Sequence, residues 1–501
     1  MLPEAFSLVC GWSSNLHMAM LAAKFVIAAS MALPSAAQTA ASDMASHAQA
    51  AQTAEQRGDF STAVHEYEYL THQLPRKAEM QSNLGVALYF DHQWESAIPV
   101  FRKAIALDPN LLAPHLFSGL AWYQLSKPDA AVPELEAAVR LRSSDVIAHT
   151  WLGYAYVAQA RYGAAAKQFE EASRLAPENV DAWYALGEAN LQIGKERTFA
   201  LLKAAPDGGR TWQLAGEQFQ LQEDRTRALA DFEKANARRP DIPELRAAVT
   251  KLGGNPVSVA VAPGAQADRE DALYSQAHDA EQKSRNAFEH VLSIAPDSYR
   301  AHQILADAFV AEQQDDRAIA EYRIVLERKP DLPGIHEAIG SSLLRTGKSP
   351  EALTEFQAEL QLQPQSASVN ALVGQTLLLL GKNEEAEKAL RSALLMDRPP
   401  PDAYRLLGKL DLHRNDDRAA VYDLAHYLSI RKDDATAYYL LSRAYRGLGQ
   451  TEQMNQALSQ FQKVSQDVKE RSQAQGELER LDDQNHVDEE MVKTGSGSGN
   501  P

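Results

Sequence analysis

The sequence predicts an all-α protein, an α-solenoid of about twelve helix-turn-helix units stacked along the chain. Two observations predict the repeats: glycines recur every 34 residues, and prolines recur at whole multiples of that period. A third concerns composition. Because 45% of the 501 residues are hydrophobic, the chain can bury a substantial core and is not intrinsically disordered.

Charge and cysteine content exclude several classes of function. The chain has 50 Lys and Arg against 67 Asp and Glu, a formal net charge of −17 that repels phosphate backbones. Nucleic acid is therefore not an expected partner. The only cysteine is Cys10, so the body of the protein has no disulfide framework, zinc cluster or Cys-His nucleophile.

The N-terminal residues have the layout of a secretory signal peptide. Lys24 precedes an apolar run from Phe25 to Leu33, and Ser35-Ala36-Ala37 is a small-residue cleavage site. The apolar run is shorter than the roughly 20 residues that a membrane-spanning helix needs. We expect a signal peptide over residues 1–37 and a protein exported to the periplasm or secreted, with no transmembrane span after cleavage. The alternative is an alanine-rich leader on a cytosolic protein.

Small residues recur with the same 34-residue period and predict where helices cross. An alanine follows twelve positions after several of the glycines, so we expect the two small residues to face each other where two antiparallel helices approach to roughly 8–10 Å. Proline ends the second helix of each pair, because it lacks an amide hydrogen and disfavours helix in the residue before it. The periodic positions are Gly85, Gly119, Gly153 and Gly187, then Gly340, Gly374 and Gly408; Ala97, Ala131 and Ala165; and Pro75, Pro109, Pro177, Pro296, Pro330 and Pro364.

These residues carry a resemblance to the tetratricopeptide repeat, whose 34-residue unit has the pattern W-x2-L-G-x2-Y, A-x3-F and P. Residues 146–179 show it most fully, with Leu152-Gly153, Tyr156, Ala165 and Phe169 in order. The resemblance implies a right-handed superhelical α-solenoid with a concave groove lined by the first helices. Large apolar residues such as Phe169 are expected to fill the wedge between one helix pair and the next.

Phase arithmetic predicts where the array is irregular. Gly187 and Gly216 are 29 residues apart, five short of a period, and Gly216 and Gly340 are 124 apart, three periods plus 22. The sequence thus predicts one deletion and one insertion. The expected divisions are a signal peptide at 1–37, six units at 44–242 with the fifth truncated at 180–208, an irregular link at 243–264, six units at 265–468, and a charged, largely disordered tail at 469–501.

Motif searches predict no enzyme, no cofactor and no metal. Gly347-Lys348-Ser349 resembles the end of a phosphate-binding loop but has Ser342 where the leading glycine belongs. His336-Glu337 lacks the second histidine of a zinc-binding H-E-x-x-H motif. Four histidines occupy the fourth position of their units, where we expect an imidazole replacing a half-buried aromatic and keep metal binding as the lesser alternative: His115, His149, His302 and His336.

In the resembling family, positions five, nine and twelve of the first helix face the groove. These positions, with their neighbours, form an aromatic stripe in the early units and a basic cluster near the end of the array. The stripe is either packing between neighbouring first helices or a platform for a partner peptide. The cluster is either a solvated face or a site for an acidic segment or a terminal carboxylate. The predicted groove-binding residues are Phe90, Phe117, Tyr123, Trp151, Tyr154, Tyr184, Arg345, Arg405, Lys409, Arg443 and Arg446.

The sequence therefore predicts a non-catalytic scaffold that binds a protein or peptide segment in a solenoid groove. By analogy with exported bacterial proteins of this type, its expected context is envelope assembly or secretion, with a membrane-associated complex as one setting. Two alternatives stay open: an accessory subunit that recognises glycan in polysaccharide machinery, and a purely structural spacer.

Overall fold

The computed structural model describes residues 35–257, 265–396 and 398–475, and these residues form helices and turns without strands. The predicted all-α repeat solenoid is confirmed. Most helices are 11 to 14 residues long, the length that two helices and their turns require within a 34-residue repeat. In chain order the helices are α1 (Ser35–Gln56), α2 (Phe60–Gln73), α3 (Ala78–Phe90), α4 (Trp94–Leu107), α5 (Leu112–Gln124), α6 (Pro128–Leu141), α7 (Val146–Ala158), α8 (Tyr162–Leu175), α9 (Val180–Ala204), α10 (Gly209–Leu221), α11 (Arg225–Arg238), α12 (Pro243–Lys251), α13 (Ala265–Ile294), α14 (Tyr299–Ala311), α15 (Asp315–Arg328), α16 (Ile335–Arg345), α17 (Ser349–Leu362), α18 (Ala367–Leu379), α19 (Asn383–Leu394), α20 (Pro401–His413), α21 (Asp417–Ile430), α22 (Ala435–Gly447) and α23 (Thr451–Gln475).

The turn inside each helix pair whose two helices follow directly on one another depends on one residue with left-handed backbone geometry. It is the fifteenth residue of the unit, with φ of 75° at Gly347 and 72° at Gly381. Glycine adopts this conformation without steric cost. Other units place a residue with a side chain there, such as His92 at 59° and Ala160 at 55°.

The prolines end the second helices as expected. Helix α4 ends at Leu107, two residues before Pro109, and α8 ends at Leu175, two residues before Pro177. The next first helix begins after a short turn, and α7 and α22 are capped by an aspartate: Asp145 accepts a hydrogen bond from the Ala148 amide at 3.0 Å, and Asp434 accepts one from the Ala437 amide at 2.9 Å.

The repeat glycines make room for a large side chain from their own unit. A Cβ atom added at Gly153 would lie 2.5 Å from Cε1 of Phe169, and one added at Gly119 would lie 2.5 Å from Cγ of Leu135. The ring of Phe169 thus lies against the first helix of its own pair, and its expected place in the wedge between neighbouring pairs stays a prediction. The alanine expectation holds in part, since the same added atom at Gly119 would lie 3.3 Å from the Ala131 carbonyl oxygen.

The first of two compact units combines residues up to Ile193 with Ala280–Ala301. It contains α1 to α8, the first half of α9 and the second half of α13. These two half-helices pair as the two helices of one repeat. Gly187 faces the ring of Phe288, as Gly153 faces Phe169, and the rings of Tyr184 and Phe288 lie 5.8 Å apart between centroids.

One repeat is therefore interrupted in sequence. Gly187 and Phe288 are 101 positions apart, whereas Gly153 and Phe169 are 16 apart. Here the structure differs from the predicted truncated fifth unit at 180–208 and from the predicted separate unit beginning at 265. The physical reason is that α9 continues as helix through Gly194, where the other units turn, and its partner helix returns only after residues 194–279.

The second compact unit comprises Gly194–Asp279 and the residues from His302 onward. Within it, α10 and α11 form a helix pair in which Gly216 lies against Phe232, and α12 covers the end of the pair by burying Leu245 and Val249. Of the predicted link at 243–264, residues 243–251 are helix α12 and residues 258–264 lie outside the described residues. Most of the predicted signal peptide, residues 1–34, and tail residues 476–501 lie outside them too.

Candidate functional site

The predicted aromatic stripe lies in the core of the first compact unit. Relative exposure is 7% for Phe117, 5% for Trp151, 5% for Tyr154 and 2% for Tyr184. The other two members, Phe90 and Tyr123, are half-buried and pack against the same core. Four of the six side chains thus offer almost no surface to a partner in this structure.

Ring contacts explain why these aromatics are buried. Tyr123 and Trp151, on neighbouring first helices, have ring centroids 5.4 Å apart in an edge-to-face arrangement, and Trp151 meets Tyr154 in the same way at 5.8 Å. Such contacts stabilise packing between adjacent units. The rings of Phe117, Trp151, Tyr154 and Tyr184 are thus buried, and a sugar ring could stack on Trp151 or Tyr154 only if those rings became exposed. Ligand binding at the six aromatic residues stays a prediction.

Tyr184 is covered by a buried ion pair that the sequence did not reveal. Arg300 is fully buried, donates from Nε to Asp181 Oδ1 at 2.8 Å, and lies with its guanidinium 4.3 Å from the centre of the Tyr184 ring. The Tyr299 hydroxyl also donates to Asp181. Burial raises the pKa of Tyr299 above its usual range. This network joins the first two residues of α14 to α9 within the first compact unit.

Two of the predicted basic residues are engaged in ion pairs. Arg345 donates from Nη2 to Asp315 Oδ1 at 2.6 Å and to the Ser342 hydroxyl at 2.7 Å. Arg405 donates from Nε to Asp402 Oδ1 at 3.0 Å and lies 4.0 Å from a carboxylate oxygen of Asp434. Both arginines are partly buried, and their charges are compensated within the protein.

Three predicted basic residues remain accessible, and we call them the basic face: Lys409 on α20 and Arg443 and Arg446 on α22. Arg443 and Arg446 are exposed, Lys409 is half-buried, and within the described part of the chain none of the three forms an ion pair. Lys409 and Arg443 occupy the ninth position of consecutive units. Tyr439, one helical turn before Arg443, is 46% exposed. This surface is positive and partly aromatic in an acidic protein.

The equivalent positions of α10 are occupied by the chain itself. The Gln213 amide donates to the Tyr274 hydroxyl at 2.6 Å, and that hydroxyl donates to Glu217 at 2.6 Å. Arg210 pairs with Asp271, and its guanidinium lies 4.5 Å from the Tyr274 ring. The first half of α13 thus covers the second, fifth and ninth positions of this repeat. Residues 265–279 carry no repeat motif of their own, so the sequence signalled none of these contacts.

The fourth-position histidines bond to the second helix of their own unit. His115, His302 and His336 reach a glutamate nineteen positions later through Nδ1, at 2.6 to 2.7 Å, and His149 reaches Gln168 at 2.8 Å. Each therefore has a structural partner within its repeat. Across the described residues, three His, Cys, Asp or Glu side chains nowhere come together as metal ligands would. The helices of those same residues also include none with the length and apolar character needed to cross a membrane.

Family models agree with the repeat assignment. Models described as tetratricopeptide repeat match residues 49–111, 118–166 and 337–403, and a further one matches 435–467. A model described as TPR repeat matches residues 153–194. A search of curated proteins finds no match.

Several solved structures align with part of this chain at low identity. MamA residues 41 to the end from Desulfovibrio magneticus RS-1 is 23% identical, with 30% of this chain and 85% of that chain covered and a TM-score of 0.29. PilW, whose structure is described as a widely conserved type IV pilus biogenesis factor, is 21% identical, with 38% and 90% covered and a TM-score of 0.34. YrrB, described as a TPR protein with an unusual peptide-binding site, is 19% identical, with 40% and 88% covered and a TM-score of 0.26.

Proposed function

Because the chain belongs to the tetratricopeptide-repeat family of protein-interaction scaffolds, we propose that it catalyses no reaction and holds an acidic peptide segment of another protein on its basic face. One observation carries the proposal. Arg443 and Arg446 are exposed at groove positions of α22 and are not paired within the described residues, whereas Arg345 and Arg405 are paired.

The chemistry of the basic face favours carboxylates over other ligands. Arginine forks form paired hydrogen bonds with carboxylate oxygens, and Lys409 supplies a further point charge from the preceding first helix. The exposed ring of Tyr439 adds an apolar contact beside these charges. An acidic segment in extended or helical form would satisfy all three kinds of contact.

A peptide library tests the proposal directly. Immobilised full-length protein is exposed to random twelve-residue peptides at low salt, and the retained sequences are read. We expect enrichment of peptides rich in Asp and Glu, and loss of that enrichment in the double variant Arg443→Ala, Arg446→Ala. The matched control is Arg418→Ala, Lys432→Ala, which removes two exposed positive charges on and after the second helix α21.

The outcomes separate the alternatives. Retention of acidic peptides should weaken as salt rises, because exposed charge pairs are screened within about 10 Å at 0.1 M and about 3 Å at 1 M. Equal enrichment in the wild type and the Arg443, Arg446 variant would move binding away from the basic face. A failure to retain any peptide class would favour the structural-spacer alternative.

We also propose that the protein acts outside the cytoplasm, in envelope assembly or secretion. The support is the sequence alone: Lys24, the apolar run that follows it and the small residues at 35–37. Cell fractionation followed by N-terminal sequencing tests this. Recovery outside the inner membrane with Gln38 as the first residue is the expected result, and a cytosolic protein that retains residues 1–37 would contradict it.

A further inference from the structure

The tail beyond α23 is strongly acidic and follows directly on the repeat that carries Arg443 and Arg446. Residues 476–501 contain seven acidic and two basic side chains, and five of the acidic ones fall within 482–490. The chain therefore carries, on its own C-terminal side, a segment of the same chemistry as the peptides proposed for the basic face.

We infer that residues 482–490 of this chain bind its own basic face and must be displaced before an acidic segment of a partner can bind. This inference rests on the proposed function, since it names the first competitor for the same site. The occupant is a segment of the same molecule. An acidic segment from a second copy is an outcome that the experiment distinguishes.

The geometry of α22 and α23 sets the distance that the tail must cover to reach Arg443. The two helices are joined by a short turn and pack together, with the Tyr439 and Phe461 rings 5.8 Å apart between centroids. Gln475 lies fourteen residues beyond Phe461, about 21 Å along the helix axis, and Arg443 lies about 6 Å from Tyr439 in the other direction. The tail must therefore return about 27 Å to meet Arg443.

An extended chain covers this distance with length to spare. At roughly 3.3 Å per residue, the thirteen residues from Gln475 to Asp488 span about 43 Å, whereas the seven residues to Asp482 span about 23 Å. Asp488, Glu489 and Glu490 can therefore lie against Arg443 and Arg446. Tethering raises the effective concentration of such a segment to the millimolar range, so even weak charge pairing fills the face at low salt.

The experiment compares the full-length protein with a full-length variant whose tail is uncharged between 482 and 490. The ligand is a fluorescein-labelled peptide of residues 476–492, and fluorescence anisotropy measures its affinity. We expect the peptide to bind the neutral-tail protein at least tenfold more tightly than the wild type, because the wild-type tail already occupies the site. The neutral-tail variant carries Asp482→Asn, Asp483→Asn, Asp488→Asn, Glu489→Gln and Glu490→Gln.

Variants of the basic face locate the site. On the neutral-tail background, Arg443→Ala with Arg446→Ala should abolish peptide binding, and Arg418→Ala with Lys432→Ala should leave it unchanged. Equal peptide affinity for wild-type and neutral-tail proteins, or no binding to either, would overturn the inference. If the wild type binds the peptide more weakly than the neutral-tail variant only at high protein concentration, the occupant is the tail of a second copy. That result would also overturn the inference.

The failure of this inference can be told apart from the failure of the proposed function. If library peptides bind through Arg443 and Arg446 but the tail peptide does not, the tail inference is overturned and the proposed function stands. If neither the wild type nor the neutral-tail variant retains any acidic peptide through these arginines, the tail inference and the proposed function are both overturned. A second readout is the anisotropy of a dye at Ser496→Cys in a Cys10→Ser background, which should fall in the Arg443→Ala, Arg446→Ala variant.

Discussion

His115 on α5 is hydrogen-bonded to Glu134 on α6, with 2.7 Å between Nδ1 and Oε2. The second ring nitrogen of His115 lies 3.1 Å from the carbonyl oxygen of Pro109, which ends the preceding unit. The imidazole thus links both helices of its own repeat and the turn before it. Several repeats share this pairing of a histidine at the fourth position with a glutamate nineteen residues later.

The His115 pair predicts pH-dependent stability. The Glu134 carboxylate raises the pKa of His115 above its usual range, so the folded state favours the protonated ring. The resulting stabilisation is complete below the unfolded-state pKa of about 6.5 and is lost as pH rises through the folded-state pKa. We expect His115→Gln to lower the free energy of unfolding by about 1 kcal/mol more at pH 5.5 than at pH 9. Urea denaturation at both pH values measures the difference.

His149→Gln is the matched control for that experiment. His149 occupies the same position in the next repeat but bonds to the uncharged amide of Gln168 at 2.8 Å. Its replacement removes a hydrogen bond to an uncharged group, so the difference between the two pH values should be smaller than for His115→Gln. If His115→Gln and His149→Gln show the same pH dependence, the charge of Glu134 is not the cause.

The repeat glycines predict opposite effects of one substitution at two sites in one unit. Gly153→Ala would place a methyl group 2.5 Å from the Phe169 ring, and we expect a loss of about 1 to 3 kcal/mol in the free energy of unfolding. Gly163, on α8, has nothing within 4 Å of an added Cβ. Gly163→Ala should therefore stabilise by up to about 1 kcal/mol, because alanine restricts the unfolded chain and favours helix. Equal effects at the two sites would contradict this account of the crossing.

A pair of buried carboxyls in α20 and α21 predicts a stabilising substitution. Burial, and then the charge of Asp423, raises the pKa of Asp411 to about 6. Asp416 and Glu387 add to this effect, whereas Arg391 opposes it. Since the unfolded-state pKa is near 4, the folded state loses stability as pH rises from about 4 to 6 and stays less stable above that range.

Asp411→Asn removes that penalty. We expect it to raise the free energy of unfolding by about 2 kcal/mol at pH 7.5 and to change it little at about pH 3, where Asp411 is mostly protonated in both the folded and the unfolded state. Asp316→Asn is the control, because the side chain of Asp316 is 79% exposed. A destabilising effect of Asp411→Asn at pH 7.5 would mean that the charged carboxylate has a partner that compensates its burial.

The 34-residue period of the sequence predicts much of the fold but little of which groove residues are accessible. Gly153, Phe169 and Pro177 each have one structural role that a 34-residue spacing makes visible. The exposure of a groove position depends instead on what the neighbouring helices place beside it. Trp151 and Arg443 both lie at or beside such positions, but the first is buried by Tyr123 and Tyr154 while the second faces solvent.

The 34-residue period also could not predict contacts between residues far apart in the sequence. Asp181 and Arg300 are 119 residues apart and belong to no recurrent motif, so their contact depended on the return of α13 to α9. One signal of the interruption was present in the sequence. Gly194 falls at the fifteenth position of its unit, as Gly347 and Gly381 do in theirs, yet no second helix of the repeat type follows it.

The interrupted repeat predicts that its inserted residues can be removed. Deletion of residues 195–279 brings Phe288 to sixteen positions after Gly187, the spacing of Gly153 and Phe169, and leaves Gly194 in the position where other units turn. We expect the deletion variant to fold, with Gly194 adopting the left-handed geometry that Gly347 shows at φ 75°. Circular dichroism should show undiminished helicity per residue and cooperative unfolding.

Two variants make that test specific. Phe288→Ala in the deletion background should destabilise by about 3 to 5 kcal/mol, because it opens a cavity beside Gly187 as it does in the full-length chain. The control is a deletion of residues 190–274, which removes the same number of residues and keeps the sixteen-position spacing of Gly187 and Phe288. This deletion removes Gly194, so the turn between the two helices lacks its glycine. If the two deletions are equally stable, or if Phe288→Ala has no effect in the shortened chain, α9 and α13 do not form one repeat whose two helices the insertion separates.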